Sequence, residues 1–263
     1  MAEKVSVEHV KKSFLTGDGK KSTQVLEDVS FQVHDGEIVS IIGPTGCGKS
    51  TLLRIIAGIS QPDSGRIVVG GKEVVSSADP ASAMVFQGFN LFPWRTALKN
   101  VQFGLEAKQM SAEEREKKAM YYIDLVGLKG YEKYHPHELS GGMQQRVGLA
   151  RALAIEPEVI LLDEPFSSVD VLTRESLQDE VLHILLETKK TAIFVTHNID
   201  EAILLSTRVF SLGGKPATVK ETFDVPMPYP RTDEVLASPE ALALKGKLKK
   251  ALLGSGASDS GRA

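Results

Sequence analysis

The feature that most constrains the fold is a glycine-rich stretch, Gly43–Thr51, that stands between an apolar run and an apolar-periodic segment. The run Ile38–Ile42 is short, β-branched and continuously hydrophobic, which is typical of a strand buried on both faces. The stretch fits the phosphate-loop pattern, in which glycines let the backbone wrap a phosphate and a helix N-terminus adds partial positive charge. The pattern therefore predicts a strand, a phosphate-binding loop and a helix in succession.

The residue types in this stretch indicate how a nucleotide would be held. The predicted cofactor-binding residues are Gly43, Pro44, Thr45, Gly46, Cys47, Gly48, Lys49, Ser50 and Thr51. We expect Lys49 to bridge the β- and γ-phosphates and Ser50 to ligate Mg²⁺. The loop needs only the backbone of Cys47, so alkylation of this thiol is expected to block the nucleotide through bulk.

Two carboxylates end a second buried run. The run Val159–Leu162 leads into Asp163 and Glu164, and open α/β sheets bind ligands at the carboxyl ends of their strands. We expect Asp163 to hold Mg²⁺ through its water shell and Glu164 to face the attacking water as general base. For Glu164 taken alone, a solvated acid in a turn is the alternative.

A histidine follows the third buried run. Thr191–Thr196 has the same continuous hydrophobicity, and His197 comes directly after it. An imidazole at the end of such a strand is able to contact a γ-phosphate, whereas a lone histidine is more often structural. The residue pattern alone leaves both interpretations open.

Composition narrows the classes of protein that the chain can belong to. Its 263 residues are 42% hydrophobic and 25% charged, which argues against disorder and against a coiled-coil rod. The net charge of -3 provides no general attraction to nucleic acid, so no nucleic-acid partner is predicted. One cysteine, no signal-like apolar N-terminus and no run of 18 apolar residues predict a cytosolic chain that serves any membrane process from outside the bilayer.

Periodicity changes along the chain and predicts its organisation. Alternation over 5–10 and 29–34 indicates a β-rich opening with one buried face, on which Val5, Val7 and His9 share a side. The texture becomes helical between 88 and 157, where Ser111 is a helix N-cap and Gly127 a stop. The predicted division is a nucleotide-binding core with a β subdomain at 1–87 and 158–215, a helical subdomain at 88–157, and an appendage at 216–263 with a disordered tail.

The last helix of the appendage has an apolar face. Ser238–Glu240 is a good helix start, and Leu244, Leu248 and Leu252 follow on one side, with lysines elsewhere. The face is narrow, which favours packing on its own domain. An anionic membrane surface is the alternative.

A second helix start with small residues decides the family. Ser140-Gly141-Gly142 precedes a helical run to Leu153 and forms another phosphate-facing surface. Here the chain resembles the ATP-binding cassette ATPases, whose signature motif this is. The remaining family motifs stand in order: Gly43–Thr51 as Walker A, Gln87 as the Q-loop, Val159–Glu164 as Walker B, Ser167–Asp170 as the D-loop and His197 as the switch histidine. The resemblance covers about residues 5–215.

The resemblance implies a fold and an activity. The fold is α/β, a RecA-like P-loop NTPase core with an antiparallel β subdomain and an inserted α-helical signature subdomain. The activity is hydrolysis of ATP with Mg²⁺ in a head-to-tail dimer, each ATP lying between Walker A of one subunit and the signature of the other. Lys49 and His197 would hold the γ-phosphate from one side, and Ser140 and Gly142 from the other.

The resemblance also completes the list of site residues. The catalytic residues are Glu164, His197 and Gln87; the added nucleotide contacts are Phe14, Ser140, Gly141, Gly142, Gln145 and Asp170; the metal ligands are Ser50, Gln87 and Asp163. Phe14 stands where tyrosine is commoner in the family, and stacking on adenine needs only the ring face. Ser168-Val169 stands where Ala-Leu is commoner, and Asn198 where aspartate is frequent; neither departure removes a catalytic group.

Within the family, three segments resemble importers of nitrate, alkanesulfonate, taurine and bicarbonate: Phe92–Val101, Met143–Val147 and Pro226–Arg231. Such bacterial importers pair two ATPase subunits, identical or paralogous, with two transmembrane permease subunits, and an external solute-binding protein acts indirectly. The implied location is the cytoplasmic face of the inner membrane, as a peripheral protein.

The resemblance places the permease contact after the Q-loop. Phe89, Leu91, Phe92 and Trp94 are the expected docking surface for the permease's coupling helix, and a plain core role is the alternative for each. The alternative function is a soluble, non-transport cassette ATPase that acts as an ATP-gated switch. Such proteins carry a long coiled coil or a second cassette, and this sequence has neither.

Overall fold

The fold is described from a computed structural model that covers residues 2–15, 21–76 and 81–254. The strands in these ranges are β1 (Glu3–Leu15), β2 (Ser22–His34), β3 (Ile38–Ile42), β4 (Ser64–Val69), β5 (Lys72–Glu73), β6 (Ser82–Val85), β7 (Val159–Asp163), β8 (Thr191–Thr196), β9 (Arg208–Gly213) and β10 (Thr218–Asp224). The α-helices are α1 (Lys49–Ile56), α2 (Ala97–Glu106), α3 (Ala112–Leu125), α4 (Gly141–Ala154), α5 (Val171–Glu187), α6 (Ile199–Leu205), α7 (Asp233–Leu236) and α8 (Pro239–Gly254).

The chain forms two compact units, and the first contains Met1–Asp79 and Thr191–Ala263. Its antiparallel sheet has the order β2-β1-β4-β5, and its other strands have the order β10-β9-β3-β8. β3 pairs in parallel with β8 and β9, while β10 is antiparallel to β9. Every residue of β3 and β8 is buried, as the continuous apolar runs predict for central parallel strands.

The predicted alternation in β1 is wrong at His9. Val5, Val7 and Val10 are buried, but His9 is exposed and has φ 50°. The pairing of β1 with β2 shifts register between Val7 and Val10. A bulge of this kind adds a residue to one strand, so the side chains after it change faces.

The second unit contains Pro80–Lys190. In it β6 pairs in parallel with β7, and α4 packs against α2 and α3. The predicted ends of α3 are confirmed: Ser111 and Glu114 form a capping box at its start, and Gly127 follows its end with φ 69°. The unit therefore has the helical texture that the sequence predicts for this region.

The last helix packs on its own unit. Leu244 and Leu248 of α8 lie in a buried cluster with Ile203 of α6 and with Val225 and Met227, which follow β10. This confirms the prediction of intramolecular packing for the apolar face. Lys245 lies at the edge of the contact, where its Nζ is 2.6 Å from Asp200 Oδ1.

The units and the predicted domains have different boundaries. The second compact unit contains β6, β7 and α5 together with α2, α3 and α4. The appendage belongs to the first compact unit, which also contains the phosphate loop. The division at residues 87, 157 and 215 therefore stays a proposal about organisation. The disordered tail is predicted at Gly254–Gly261; Gly254 is the last residue of α8, and the rest lies outside the residues described. None of the helices in the described ranges combines the length and apolar character needed to span a membrane.

The cluster around α8 generates a stability prediction. Leu248→Ala removes a side chain that is 0% exposed, so we expect the free energy of unfolding to fall by about 2–5 kcal/mol. Leu242→Ala is the matched control on the same helix, because Leu242 is 56% exposed; its change should stay within about 0.5 kcal/mol. Urea denaturation followed by circular dichroism measures both. Equal losses in the two variants would contradict the packing of α8.

Candidate active site

The phosphate loop joins β3 to α1 in the first unit. Gly46 and Gly48 have φ values of 78° and 104°, a region that glycine enters without strain. At Gly48, the N-cap of α1, an added Cβ would stand 2.8 Å from side-chain carbons of both Val25 and Leu26. Because the backbone turns here against packed side chains, glycine is required, and the loop leads directly into the positive end of the helix dipole.

Lys49 brings a charge into this loop. Its side chain is buried, and its ammonium donates to the carbonyl oxygens of Gly43 (2.9 Å) and Pro44 (3.1 Å). An ammonium has three donors, so, counting contacts with the described part of the chain, one remains for a ligand beside the loop. A buried cation at a helix N-terminus provides the electrostatics that a phosphate needs. The loop geometry thus fits the phosphates of a nucleotide.

Cys47 faces inward from the loop. Cys47 is 6% exposed, and its Sγ is 3.8 Å from the carbonyl oxygen of Leu212. A Cβ on Gly43 would meet the same sulfur at 2.7 Å. Burial raises the pKa of the Cys47 thiol, although the positive charge of Lys49 opposes this shift. The thiol is therefore both covered and a weak nucleophile, which the sequence did not indicate.

Phe14 lies near the end of β1, and 45% of it is exposed. The ammonium of Lys12 is 5.4 Å from the ring centroid. A cation over one face leaves the opposite face as the surface on which a base would stack. The ring is thus available for the predicted contact with adenine.

His197 lies in a tightly held turn between β8 and α6. The hydroxyl of Thr196 accepts from the amide of Asn198 (3.0 Å) and donates to Oε2 of Glu201 (2.6 Å). Asn198 caps α6, because its Oδ1 accepts from the amides of Asp200 (2.9 Å) and Glu201 (3.4 Å). The His197 side chain is exposed at the tip of this turn. Asparagine and aspartate cap equally well, which explains why the departure at 198 is tolerated.

Asp163 and Glu164 end β7 in the second unit. Asp163 is 3% exposed, whereas Glu164 is half-buried and adopts φ 46°. Positive φ in a non-glycine residue is strained, and such strain concentrates at functional sites. The amide and the hydroxyl of Ser167 both donate to the Glu164 carbonyl oxygen, at 3.2 and 2.9 Å, which holds the turn. Glu164 therefore lies in a strained, hydrogen-bonded turn, and its role as a base stays a prediction.

Ser140 begins α4 beside the Q-loop and the D-loop. Its hydroxyl oxygen accepts from the amide of Met143 at 3.3 Å, which caps the helix. A Cβ on the next residue, Gly141, would stand 3.5 Å from the Phe89 ring and from the carbonyl oxygen of Ser168. The Ser168 hydroxyl in turn donates to the carbonyl oxygen of Gln87 at 3.2 Å. The second unit therefore brings the signature, the D-loop and the Q-loop together.

Gln145, a predicted nucleotide contact, is buried in the second unit. Its side chain is 2% exposed and faces into the second unit. It comes one turn after Gly141 on a helix whose inner face is buried, and spacing along the chain did not indicate this direction. Among the described residues, no hydrogen-bond partner is found for its Oε1. Its contact with a nucleotide stays a prediction.

Asp170 is the N-cap of α5. Its Oδ1 accepts from the amide and from the hydroxyl of Thr173, both at 3.0 Å. The carboxylate is exposed, and its shown contacts stabilise the start of the helix. Its predicted contact with a nucleotide stays a prediction.

The predicted metal ligands have suitable chemistry. Ser50 offers a hydroxyl at the start of α1, Asp163 a carboxylate and Gln87 an amide oxygen, and Mg²⁺ takes such hard oxygen donors. Ser50 belongs to the first unit, and Asp163 and Gln87 belong to the second. The donor types fit the metal that the sequence predicts.

The segment after the Q-loop is held by a residue that the sequence analysis missed. Asn100 is 0% exposed; its Nδ2 donates to the carbonyl oxygens of Phe92 (3.2 Å), Arg95 (3.0 Å) and Thr96 (3.0 Å), and its Oδ1 accepts from the Phe92 amide (2.8 Å). A buried asparagine in an amphipathic helix was the available signal. Its bonds fix the backbone loop that carries Trp94.

The aromatic residues of this loop form a surface cluster. Phe92 packs against Trp94 and Phe103, at ring distances of 5.6 and 4.5 Å. The guanidinium of Arg95 lies 5.5 Å from the Phe92 ring and pairs with Glu106. Trp94 is 73% exposed. A plain core role is therefore wrong for Trp94, while Phe89, Leu91 and Phe92 are half-buried.

Comparison with known sequences finds a matching family model and similar proteins. A family model described as ABC transporter matches residues 26–167. The aliphatic sulfonates import ATP-binding protein SsuB of Bacillus cereus is 43% identical over 87% of this chain and 88% of its own length. The nitrate import ATP-binding protein NrtC of Synechococcus elongatus is 42% identical over 93% of this chain and 37% of its own length.

Comparison with solved structures agrees. The dimeric post-hydrolysis state of the ATP-binding cassette MJ0796, bound to ADP and Pi, superposes with a TM-score of 0.74 at 33% identity. The match covers 85% of this chain and 99% of that one. The similarity confirms the predicted α/β fold of a P-loop NTPase.

The inward thiol generates a prediction about alkylation. We expect N-ethylmaleimide to modify folded Cys47 at least about 10-fold more slowly than the urea-unfolded chain, because burial covers the sulfur and disfavours the thiolate. Once modified, the loop should lose nucleotide binding through bulk. Mass spectrometry gives an unambiguous count, since the chain has one cysteine. Cys47→Ser, treated in the same way, is the control, and unimpaired binding after complete modification would refute the prediction.

Proposed function

Because the chain belongs to the ABC transporter family and is an ATP-binding cassette ATPase, we propose that it is the nucleotide-binding subunit of an importer. In this proposal, ATP-driven dimer closure and hydrolysis are coupled to uptake of a solute of the nitrate, sulfonate, taurine or bicarbonate type. The observation that carries the proposal is the buried ammonium of Lys49 inside a glycine loop at the start of α1. The names of the sulfonate and nitrate import relatives support the solute class.

The proposal gives each site residue a task. The backbone of the phosphate loop and Lys49 bind the phosphates of ATP, and the ring of Phe14 stacks on adenine. Glu164 accepts the proton of the attacking water, and the imidazole of His197 contacts the γ-phosphate. Mg²⁺, held by Ser50, Asp163 and Gln87, would neutralise charge on the phosphate oxygens.

We further propose that two subunits close around ATP. The capped start of α4 offers Ser140 and Gly142 as a second phosphate-facing surface, which would act on the ATP of the partner subunit. The solved cassette that resembles this chain is described as dimeric, which supports association. ATP then joins the subunits, and its hydrolysis separates them.

The surface cluster of Phe92, Trp94 and Phe103 is the proposed contact with the permease. An exposed indole on a loop that buried hydrogen bonds hold rigid is typical of an interface anchor, because little conformational entropy is lost on docking. The coupling helix of a transmembrane permease subunit would pack on Trp94 and Phe92. The chain would then lie at the cytoplasmic face of the membrane as a peripheral subunit, and the solute-binding protein would act only through the permease.

The assignment of Glu164 predicts a separation of binding from turnover. Glu164→Gln should keep ATP binding, lose about 10²-fold or more in turnover by removing the base, and trap an ATP-bound dimer. Phosphate release and size-exclusion chromatography with MgATP measure these effects. Hydrolysis at the parental rate would show that another group is the base.

The predicted ATP-bound dimer can be tested further in the Glu164→Gln variant. Adding Ser140→Arg to Glu164→Gln places bulk and charge at the signature surface, so the ATP-bound dimer should not form. Binding of ATP to the single subunit should persist, because the phosphate loop is unchanged. A normal ATP-induced dimer would contradict the composite site.

The importer role predicts a membrane partner. Tagged Glu164→Gln, incubated with MgATP and detergent-solubilised native membranes, should capture a polytopic permease that mass spectrometry identifies. Adding Trp94→Ala should abolish capture, whereas Tyr121→Ala, which alters another exposed aromatic of the same unit, should not. Capture of soluble partners alone would favour the non-transport cassette ATPase instead.

A further inference from the structure

The segment after β10 contains a buried arginine that the nucleotide site does not use. Arg231 is 5% exposed, and its guanidinium donates to carbonyl oxygens. Nη1 donates to Ile203 (2.5 Å), Leu204 (3.2 Å) and Ser206 (2.6 Å), and Nε donates to Met227 (2.9 Å). Burial of a cation is costly unless its donors are satisfied. Arg231 is therefore a buried cation whose donors are paired with backbone carbonyls.

Three of these carbonyl oxygens lie at the C-terminal end of α6, two in its last turn and one on its C-cap, Ser206. The last turn of a helix leaves carbonyl oxygens without intrahelical partners, and Arg231 takes up those of Ile203, Leu204 and Ser206. The Tyr229 hydroxyl donates to the remaining one, Leu205, at 2.5 Å. The Tyr229 ring lies 4.2 Å from the guanidinium carbon. A cation at this end also interacts favourably with the helix dipole.

The same helix begins at the turn that carries His197. α6 has only seven residues, so its anchored end and its first turn are about 10 Å apart. The turn itself is tied to the helix, because Thr196 bonds to Glu201 and Asn198 caps the first turn. α6 also packs on α8, in the buried cluster that contains Ile203 and Leu248.

We infer that Arg231 is a positioning residue for His197, which acts by clamping the C-terminal end of α6. The inference rests on the proposed contact of His197 with the γ-phosphate. With the clamp in place, α6 and its capped turn hold the imidazole at one position. Without it the helix shifts, and alignment in the transition state is lost, while Lys49 and the phosphate loop continue to bind the nucleotide.

The first test separates turnover from binding. In the full chain, Arg231→Met should lower the kcat for ATP hydrolysis about 10-fold through misalignment. The KM for ATP and the affinity for ADP should stay within about twofold. The kcat of Arg231→Lys should lie between that of the parent and that of Arg231→Met, because an ammonium makes only some of the hydrogen bonds of a planar guanidinium. Arg66→Met is the matched control, because it removes an exposed arginine that pairs with Glu8 in the same unit; it should keep the parental kcat.

The second test asks whether the effect passes through His197. In a His197→Ala background, Arg231→Met should cause no further loss of kcat, because residues that act as one unit are not additive. A full additional 10-fold loss would show that Arg231 acts by another route and would overturn the inference. A parallel loss of kcat and ADP affinity would overturn it too, since that is the signature of general destabilisation.

The outcomes also distinguish this inference from the function on which it rests. If His197→Ala alone keeps the parental kcat, the γ-phosphate role fails and the inference fails with it. If His197→Ala loses activity but Arg231→Met does not, only the inference fails.

Should Arg231→Met not fold, Tyr229→Phe, which removes the hydroxyl bond to Leu205 and keeps the ring, must lower kcat and show the same dependence on His197. A parental kcat in both Tyr229→Phe and Arg231→Lys would overturn the clamp.

Discussion

The junction of β3 and α1 is the constraint on which the rest of the first unit depends. A helix must start there with its amides directed at a ligand, so the backbone takes positive φ at Gly48, and Lys49 is buried beside the carbonyls of the loop. Central parallel strands that are buried on both faces hold this arrangement rigid, since the backbone groups of β3 pair with β8 and β9 on either side. The antiparallel sheet supplies Val25 and Leu26, which close the loop from outside.

The turns that carry the predicted site residues are held in the same way in both units. Each is fixed by short-range hydrogen bonds from small polar side chains: Ser167 at Glu164, Ser168 at Gln87, Ser140 at the start of α4 and Asn198 at the start of α6. Such bonds hold a turn without adding bulk beside the predicted site residue. Regions that need support from farther away receive it from buried polar residues, Asn100 under the aromatic loop and Arg231 under α6.

Much of the fold and site was predictable because the relevant signals are local. The buried strands, the capping box of α3 and the start of α8 each follow from residues within one element. The prediction at His9 failed, and the burial of Gln145 was not foreseen, for a common reason. Which way a side chain faces depends on a bulge in a paired strand or on the packing of neighbouring helices, and neither is contained in spacing along the chain.

The sequence by itself determined the family, the phosphate loop, the order of the motifs and the α/β class, because these are carried by residue types at fixed spacing. The tertiary structure alone decided that the Cys47 thiol is covered, that Trp94 is exposed on a loop held by Asn100, and that Arg231 caps a helix far earlier in the chain. Burial and long-range hydrogen bonds arise only when distant segments pack, and the free energy of that packing is shared among contacts that no single segment encodes.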